Sequence, residues 1–181
     1  MTEAKLTALL EKLAIRQDKL SISQDKTDAQ IDRVSKQLGE MGNKFGSFTE
    51  GMADPSLKKL LVKKFGAEFV ADGVVRRRGG DSMELDVMGY TNGKSNRVFV
   101  AEVKSRLCVE DLEEFVGTLE KVPKFFPEHR GKEVIGILAA VDIPADMPKR
   151  VAKAGIHLAR ISDETFRLVD PKGFRAKSFA A

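Results

Sequence analysis

The first part of the chain has a regular hydrophobic repeat. From Leu6 to Phe48, seam residues recur at alternating spacings of four and three. This heptad pattern predicts a coiled-coil helix over residues 1–47, because a single exposed helix cannot bury such a seam. Gln17, Gln24 and Thr27 are polar seam positions that weaken the middle of the seam and can fix its register. The helix is interpreted as a homo-oligomerisation element or, alternatively, as a docking helix for a different protein.

After the repeat, the pattern changes to short apolar runs separated by turn residues. These runs predict an α/β domain over residues 48–181, in which an antiparallel start is followed by crossovers that give a mixed sheet. A helix is expected to begin with Pro55 in its first turn and to end at Gly66. The tail is expected to be loose. The predicted strands are 67–78, 82–90, 97–104, 133–142, 156–161 and 165–169, and the later helices are 109–122 and 144–153.

Charge is distributed unevenly between these two parts. The chain has 181 residues, of which 32% are charged, and its formal net charge is +4. Eight basic and eight acidic residues balance through residue 50, so the whole excess belongs to the remainder. This excess permits an anionic partner but does not require one.

Cysteine and histidine are scarce. A single cysteine excludes an internal disulfide and a multi-thiolate zinc site, and two histidines do not favour a histidine-rich site. Any metal is therefore expected to be a hard ion with oxygen ligands. No apolar run approaches the roughly 18 residues of a membrane span, and no signal sequence is recognised, so a reducing, cytoplasmic setting is expected.

Asp86, Glu102 and Lys104 lie on two consecutive predicted strands, the second of which is the most apolar strand of the domain. Asp86 is in one strand, and Glu102 and Lys104 are in the next, on the same face because side chains alternate with a period of two. If the strands pair as a hairpin, Asp86 can lie beside Glu102. Charges in such a place are costly unless they are paired or bound to metal.

This cluster is suited to phosphodiester hydrolysis. Two adjacent carboxylates repel each other, and Mg²⁺ or Mn²⁺ between Asp86 and Glu102 would relieve that repulsion. Lys104 can assist deprotonation of the attacking water and stabilise charge that develops on a phosphate. The alternative is a buried ion pair without a metal.

Other charged residues are open to two interpretations. Glu84, two residues before Asp86, either adds a carboxylate to the site or faces solvent. Arg76, Arg77 and Arg78 either contact nucleic-acid phosphates or form a solvated strand end.

At these residues the chain resembles the PD-(D/E)XK nuclease superfamily. That family has an acidic residue on one strand, (D/E)-x-K on the next, and a restriction-endonuclease-like αβββαβ core. More narrowly, the chain is similar to an uncharacterised prokaryotic group with a coiled-coil leader before a nuclease-like domain. The segments that carry this resemblance are Phe48-Thr49-Glu50, Met83-Glu84-Leu85-Asp86, Val100–Leu107 and Phe125-Phe126-Pro127-Glu128.

The resemblance implies roles for four residues. Asp86 and Glu102 match the metal-binding acids, Lys104 matches the catalytic lysine, and Glu50 matches an acid that many members place on the first core helix, facing the metal. Leu85 stands where the family's nominal proline would be. The resemblance implies a Mg²⁺- or Mn²⁺-dependent endonuclease acting on nucleic acid, with DNA as the expected substrate.

Two further functions stay open at this stage. One is a catalytically silent nuclease-fold module for nucleic-acid binding or protein assembly, and the other is a purely structural α/β domain. The sequence does not decide between DNA and RNA, nor does it give the oligomer order.

Overall fold

The computed structural model describes residues 3–162 and 165–180. Within these ranges, it does not describe the side chains of residues 3–11, 13–15, 18, 22, 39–54 and 162. The chain divides into two compact units, Met1–Lys44 and Phe45–Ala181. In the described part of the chain, no helix combines the length and apolarity that crossing a bilayer requires.

The element order is helix, three strands, helix, strand, helix and two strands, with a short 3₁₀ turn at Pro127–His129 after the second helix. The helices are α1 (Glu3–Phe65), α2 (Val109–Phe125) and α3 (Met147–Ala154), and the strands are β1 (Phe69–Arg78), β2 (Asp81–Tyr90), β3 (Arg97–Arg106), β4 (Glu133–Asp142), β5 (His157–Ser162) and β6 (Thr165–Leu168).

The six strands form one mixed sheet in chain order. The β1–β2 and β2–β3 pairs are antiparallel, because short turns connect them. The β3–β4 and β4–β5 pairs are parallel, because α2 and α3 return the chain to the same end of the sheet, and β6 closes the order antiparallel to β5. The predicted mixed α/β architecture is therefore confirmed.

Each face of the sheet is covered by a different set of helices. On one face, Leu57, Leu60 and Leu61 of α1 pack in a cluster that includes Phe99 and Ile137. The opposite face packs against α2 and α3, whose buried side chains form a second, larger cluster. Residues 98–101 of β3 and 134–140 of β4 are buried on both sides, as expected for strands between two helical layers.

Strand β1 changes the face that its side chains meet at Gly73. Asp72 bonds Lys58 on the α1 side at 2.6 Å, whereas Val74 packs against the α2-side cluster. In a regular strand, residues two apart share a face. Gly73 has a φ of 54°, a conformation that glycine adopts without the steric cost of a Cβ, and this allows the change.

Strand β2 changes face at the opposing position. Leu85 belongs to the α2-side cluster and Val87 to the α1-side cluster. The β1–β2 pairing includes Asp72–Val87 and Val74–Leu85 and skips the residues between them, Gly73 and Asp86. Asp86 therefore lies at an irregularity that both strands share.

Two sequence expectations are wrong. Pro55 does not open a separate helix, because α1 extends through it to Phe65. The tail is not loose, because the Lys177 and Phe179 backbone amides donate hydrogen bonds to the Gly155 and Val134 carbonyls at 2.9 Å. Phe179 is buried in the α2-side cluster, so apolar burial holds this segment in place.

Gly136→Ala should destabilise the fold, because a Cβ on Gly136 of β4 would clash with Leu119 of α2 and lie 3.2 Å from a ring carbon of Phe115. Both neighbours are buried. We expect a loss of about 1–3 kcal/mol in the free energy of unfolding, measured by urea denaturation. Gly117→Ala is the matched control, because a Cβ there meets nothing within 4 Å and alanine favours the helix by about 1 kcal/mol. Equal stability of the two variants would contradict this account of the α2–β4 contact.

Candidate active site

Asp86 lies where the β2–β3 ladder ends. The last backbone pair in this direction is Val87–Ala101, and continuing the register would place Asp86 opposite Glu102. Instead, the Asp86 carboxylate accepts a hydrogen bond from the Val103 backbone amide, with 2.7 Å between Oδ2 and N. The Asp86 side chain thus bonds to β3 where the regular ladder stops, and this hydrogen bond holds the Asp86 carboxylate against that strand.

Glu102 and Lys104 lie on the α2 side of β3. Val98 and Val100 face the α2-side cluster, and the period of two places the two charged side chains on the same face. The Lys104 Nζ is 3.1 Å from the Glu102 Oε1. The side chains are 22% exposed for Glu102 and 29% exposed for Lys104, so both are largely desolvated but still reachable from solvent.

The Glu102 carboxylate is in an environment that disfavours its charge. Burial raises the pKa of Glu102, and the negative charges of Asp86 and Glu114 raise it further, against the opposing hydrogen bond and charge of Lys104. Burial and carboxylate repulsion outweigh one ammonium. The positive charge of Lys104 therefore does not fully offset the burial of Glu102 and the negative charges around it.

Lys104 is held in its charged form. Burial by itself lowers the pKa of Lys104, but the Glu102 hydrogen bond and the charges of Glu102, Asp111 and Asp86 outweigh it and raise the pKa. The side chain is therefore a cation at neutral pH. This arrangement suits electrostatic stabilisation of an anion better than proton abstraction by Lys104 itself.

Asp111 is a site residue that the sequence interpretation missed. It lies in the first turn of α2, and its Oδ1 is 3.7 Å from the Lys104 Nζ. Its Oδ2 accepts a hydrogen bond from the Cys108 backbone amide at 2.8 Å, which is the reciprocal half of a capping box. An acid three residues after a helix-start residue was the available signal, but only the packing of α2 on β3 brings it to Lys104.

Asp86 and Glu102 are the two described carboxylates for which the sequence predicts metal binding. No group of three or more His, Cys, Asp or Glu residues in the described part of the chain is placed to hold one metal ion. Glu50 is within α1, but its side chain lies outside the described set. Two carboxylates fit Mg²⁺, which keeps several waters and commonly uses one or two protein carboxylates.

Glu84 is exposed, and it lines an open cavity of about 440 Å³ with Thr118, Lys121 and Lys124. Its β2 neighbours Met83 and Leu85 both face the α2-side cluster. Regular alternation would place Glu84 and Asp86 on the same face, but β2 changes face at Asp86, so the period of two does not apply between these two acids.

The arginine run contacts the far end of α2. Arg76 pairs with Glu128 at 3.2 Å and lies over the Phe126 ring, and Arg78 donates to the Lys124 carbonyl at 2.6 Å. Arg77 is exposed. Lys124 lies 13 residues after Asp111, or about 20 Å along the helix, so these contacts lie well away from Lys104.

Comparisons with known proteins give similarity at the level of the fold. No family model and no curated protein matches the chain. Among solved structures, a repair endonuclease from Pyrococcus abyssi is 19% identical, with 61% of this chain and 47% of that chain covered and a TM-score of 0.41. An EndoMS–dsDNA complex is 15% identical, with 61% of this chain and 45% of that chain covered and a TM-score of 0.39. AF1548, a protein of unknown function, is 14% identical, with 66% of this chain and 59% of that chain covered and a TM-score of 0.45.

The matched region spans about half the length of the two endonuclease chains. Similarity at this level assigns no activity, substrate or partner to this chain. Those have to be argued from the site.

The raised pKa of Glu102 predicts a stability loss with rising pH. Above the ordinary value of 4.5, the folded state binds more protons at this carboxyl than the unfolded chain does. The free energy of unfolding should therefore fall as pH rises from about 4.5 through the folded-state pKa. We expect Glu102→Gln to remove this component in metal-free buffer, measured by urea denaturation at successive pH values.

Glu120→Gln serves as the control for the loss of one carboxylate, because Glu120 is an exposed residue of α2 away from the site. Identical pH dependence in the Glu102→Gln variant and the unmodified protein would contradict the assignment.

Proposed function

We propose that the chain is a metal-dependent nuclease that hydrolyses phosphodiester bonds in nucleic acid, with DNA as the expected substrate. The observation that supports this proposal is that the Asp86 carboxylate bonds to the Val103 backbone amide, next to Glu102 in the chain, while a charged Lys104 lies 3.1 Å from Glu102. The resemblance of the same residues to the PD-(D/E)XK superfamily supports it.

Asp86 and Glu102 are the proposed ligands of Mg²⁺ or Mn²⁺, with Glu50 as a further proposed ligand. The donor set is hard oxygen, and the pKa of Glu102 is raised first by burial and then by the negative charge of Asp86, which a divalent cation would offset. When bound, such an ion supplies Lewis-acid polarisation of the scissile phosphate.

Lys104 is the proposed stabiliser of the charge that develops on the phosphate. Its ammonium can donate a hydrogen bond to a non-bridging phosphate oxygen, since Lys has three donors and Glu102 and Asp111 do not use all of them. In the overall reaction water adds to phosphorus and one P–O ester bond breaks. The products are a phosphate monoester and a free hydroxyl group.

A catalytically silent module is the second candidate. The same contacts favour it, because Lys104 is already paired with Glu102 and lies 3.7 Å from Asp111. Such a network can be satisfied without a metal ion. In this alternative the fold binds nucleic acid or a protein partner without turnover.

Loss of either charged group should abolish metal-dependent cleavage. We expect Asp86→Asn and Lys104→Met each to reduce the cleavage rate by about 100-fold or more, since each removes a charge that the reaction requires. Asn at position 86 can still accept the Val103 hydrogen bond, so the fold should persist. The measurement is cleavage of plasmid and labelled linear DNA in Mg²⁺ or Mn²⁺, with circular dichroism to check folding.

Glu120→Gln is the control that should cleave normally. Calorimetric titration with Mn²⁺ adds a second readout, which the Asp86→Asn variant should lose. Equal residual nicking by all four proteins would contradict the nuclease, and absence of Mn²⁺ binding would favour the silent module.

We also propose that residues 1–47 oligomerise the chain through a coiled coil. Among the described seam side chains, four apolar residues have more than half of their surface exposed: Leu20, Ile31, Val34 and Leu38, at 70%, 56%, 53% and 59%. A row of this kind along one helix is costly to leave in water, and a second copy with the same seam would cover it.

Ile31→Lys should weaken self-association, because a charge at an a position of the seam cannot be buried in a partner helix. Ala29→Lys is the matched control, because position 29 lies two residues away and off the seam. We expect sedimentation equilibrium of the full chain to show a lower mass for Ile31→Lys alone. A monomeric unmodified protein would contradict the homo-oligomer and favour docking to a different protein.

A further inference from the structure

The end of α1 is rich in lysine. Between Pro55 and Phe65 the helix has four lysines and no acidic residue. Lys58 is paired with Asp72 at 2.6 Å, whereas Lys59, Lys63 and Lys64 are exposed and have no ion-pair partner among the described residues. Three exposed lysines without an ion-pair partner among the described residues therefore lie within two turns of one helix.

These three lysines line a single groove between α1 and β6. The groove encloses about 200 Å³, and Ser56, Leu60, Thr165 and Phe166 complete its lining. The Phe166 backbone amide donates a hydrogen bond to the Ser56 Oγ at 2.6 Å, which fixes the edge strand against the helix. We call this feature the α1–β6 groove. Its lining combines the three lysines with the apolar side chains of Leu60 and Phe166.

Helix-end electrostatics account for only part of this arrangement. Lysines in the last turn of a helix interact favourably with the helix dipole, and this explains the positions of Lys63 and Lys64. That effect falls off within the last turn, and Lys59 lies six residues before Phe65. Lys59 and Lys63 are four apart, so they are neighbours on one helix face. The helix dipole therefore accounts for Lys63 and Lys64 but not for Lys59.

Some other basic groups of the domain are engaged in contacts, and others are exposed at separate positions. Arg76 is paired with Glu128, and Arg78 is bonded to the Lys124 carbonyl. The surface of α2 repels a polyanion, because it has five acidic residues and two basic ones: Glu110, Asp111, Glu113, Glu114, Glu120, Lys121 and Lys124. On α3, Arg150 is paired with Asp146 at 2.9 Å, and Lys149 and Lys153 are exposed but do not line the α1–β6 groove.

We propose that the α1–β6 groove binds the sugar-phosphate backbone of nucleic acid at a position separate from Asp86, Glu102 and Lys104. The proposal rests on the proposed nuclease function, which supplies a polyanionic substrate. Contacts from ammonium groups to phosphates carry no sequence information. The groove should therefore add affinity uniformly across sequences and leave the chemical step to the active site.

The test compares two triple variants of the full chain by anisotropy of a fluorescent DNA duplex in EDTA, where a metal-dependent enzyme does not cleave. Lys59→Gln, Lys63→Gln and Lys64→Gln together remove the charge of the groove. Lys149→Gln, Lys153→Gln and Lys172→Gln together remove the same charge from exposed positions elsewhere. Thermal melts of both variants check folding.

We expect the groove variant to bind more weakly and to have a shallower salt dependence. Each phosphate contact contributes about 0.9 to the slope of log K against log salt for B-DNA, so three lysines should lower its magnitude by about 2 to 3. The control variant should keep most of the original slope. Equal losses in the two variants would overturn the proposal, because only net charge would then matter.

The same proteins separate failure of the groove from failure of the nuclease. Normal cleavage and normal binding by the groove variant would overturn the groove and leave the nuclease standing. Groove-dependent binding without cleavage by the unmodified protein would support the groove and overturn the enzyme. Preferential competition by polyglutamate over unlabelled DNA or RNA would overturn the nucleic-acid assignment in favour of an acidic protein segment.

Discussion

The hydrogen bond from the Val103 backbone amide to the Asp86 carboxylate is the contact on which the site depends. It lies where β2 and β3 stop pairing through their backbones, so a side chain bonds to β3 at the point where the ladder ends. In a regular ladder, the Val103 backbone amide would bond to a backbone carbonyl of β2 and not to the Asp86 carboxylate. The break at Gly73 and Asp86 instead leaves a carboxylate beside Glu102, at the cost of regular strand geometry.

Charge imbalance follows from that geometry. One ammonium, Lys104, serves several carboxylates, and the pKa of Glu102 is raised because its burial and Asp86 outweigh the lysine. Such an arrangement reduces stability where it occurs, and natural folds retain arrangements of this kind mainly at functional sites. Asp111 has two structural roles here, since it caps α2 and also lies beside Lys104. The helix start and the orientation of the lysine are therefore linked.

The surface has its own division of charge. Acidic side chains dominate α2, which packs on the face that carries Glu102 and Lys104, whereas exposed lysines line the α1–β6 groove. In this arrangement an anionic substrate would be attracted at one surface and positioned at another. The net charge of +4 does not reveal this distribution, because it sums acidic and basic groups that lie on different surfaces.

The sequence by itself determined the order of helices and strands and the shared face of Glu102 and Lys104. Apolar runs and a period of two are local properties that can be read from neighbouring residues. The rules for turns and crossovers then limit the elements to a few topologies. Only the tertiary structure decided which groups meet across elements: Asp111 with Lys104, and Arg76 with Glu128. It also decided that the tail docks, because burial of Phe179 depends on a pocket that distant elements build. Contacts between residues far apart in the chain leave no periodic signal, which is why the pattern of the sequence could not reveal them.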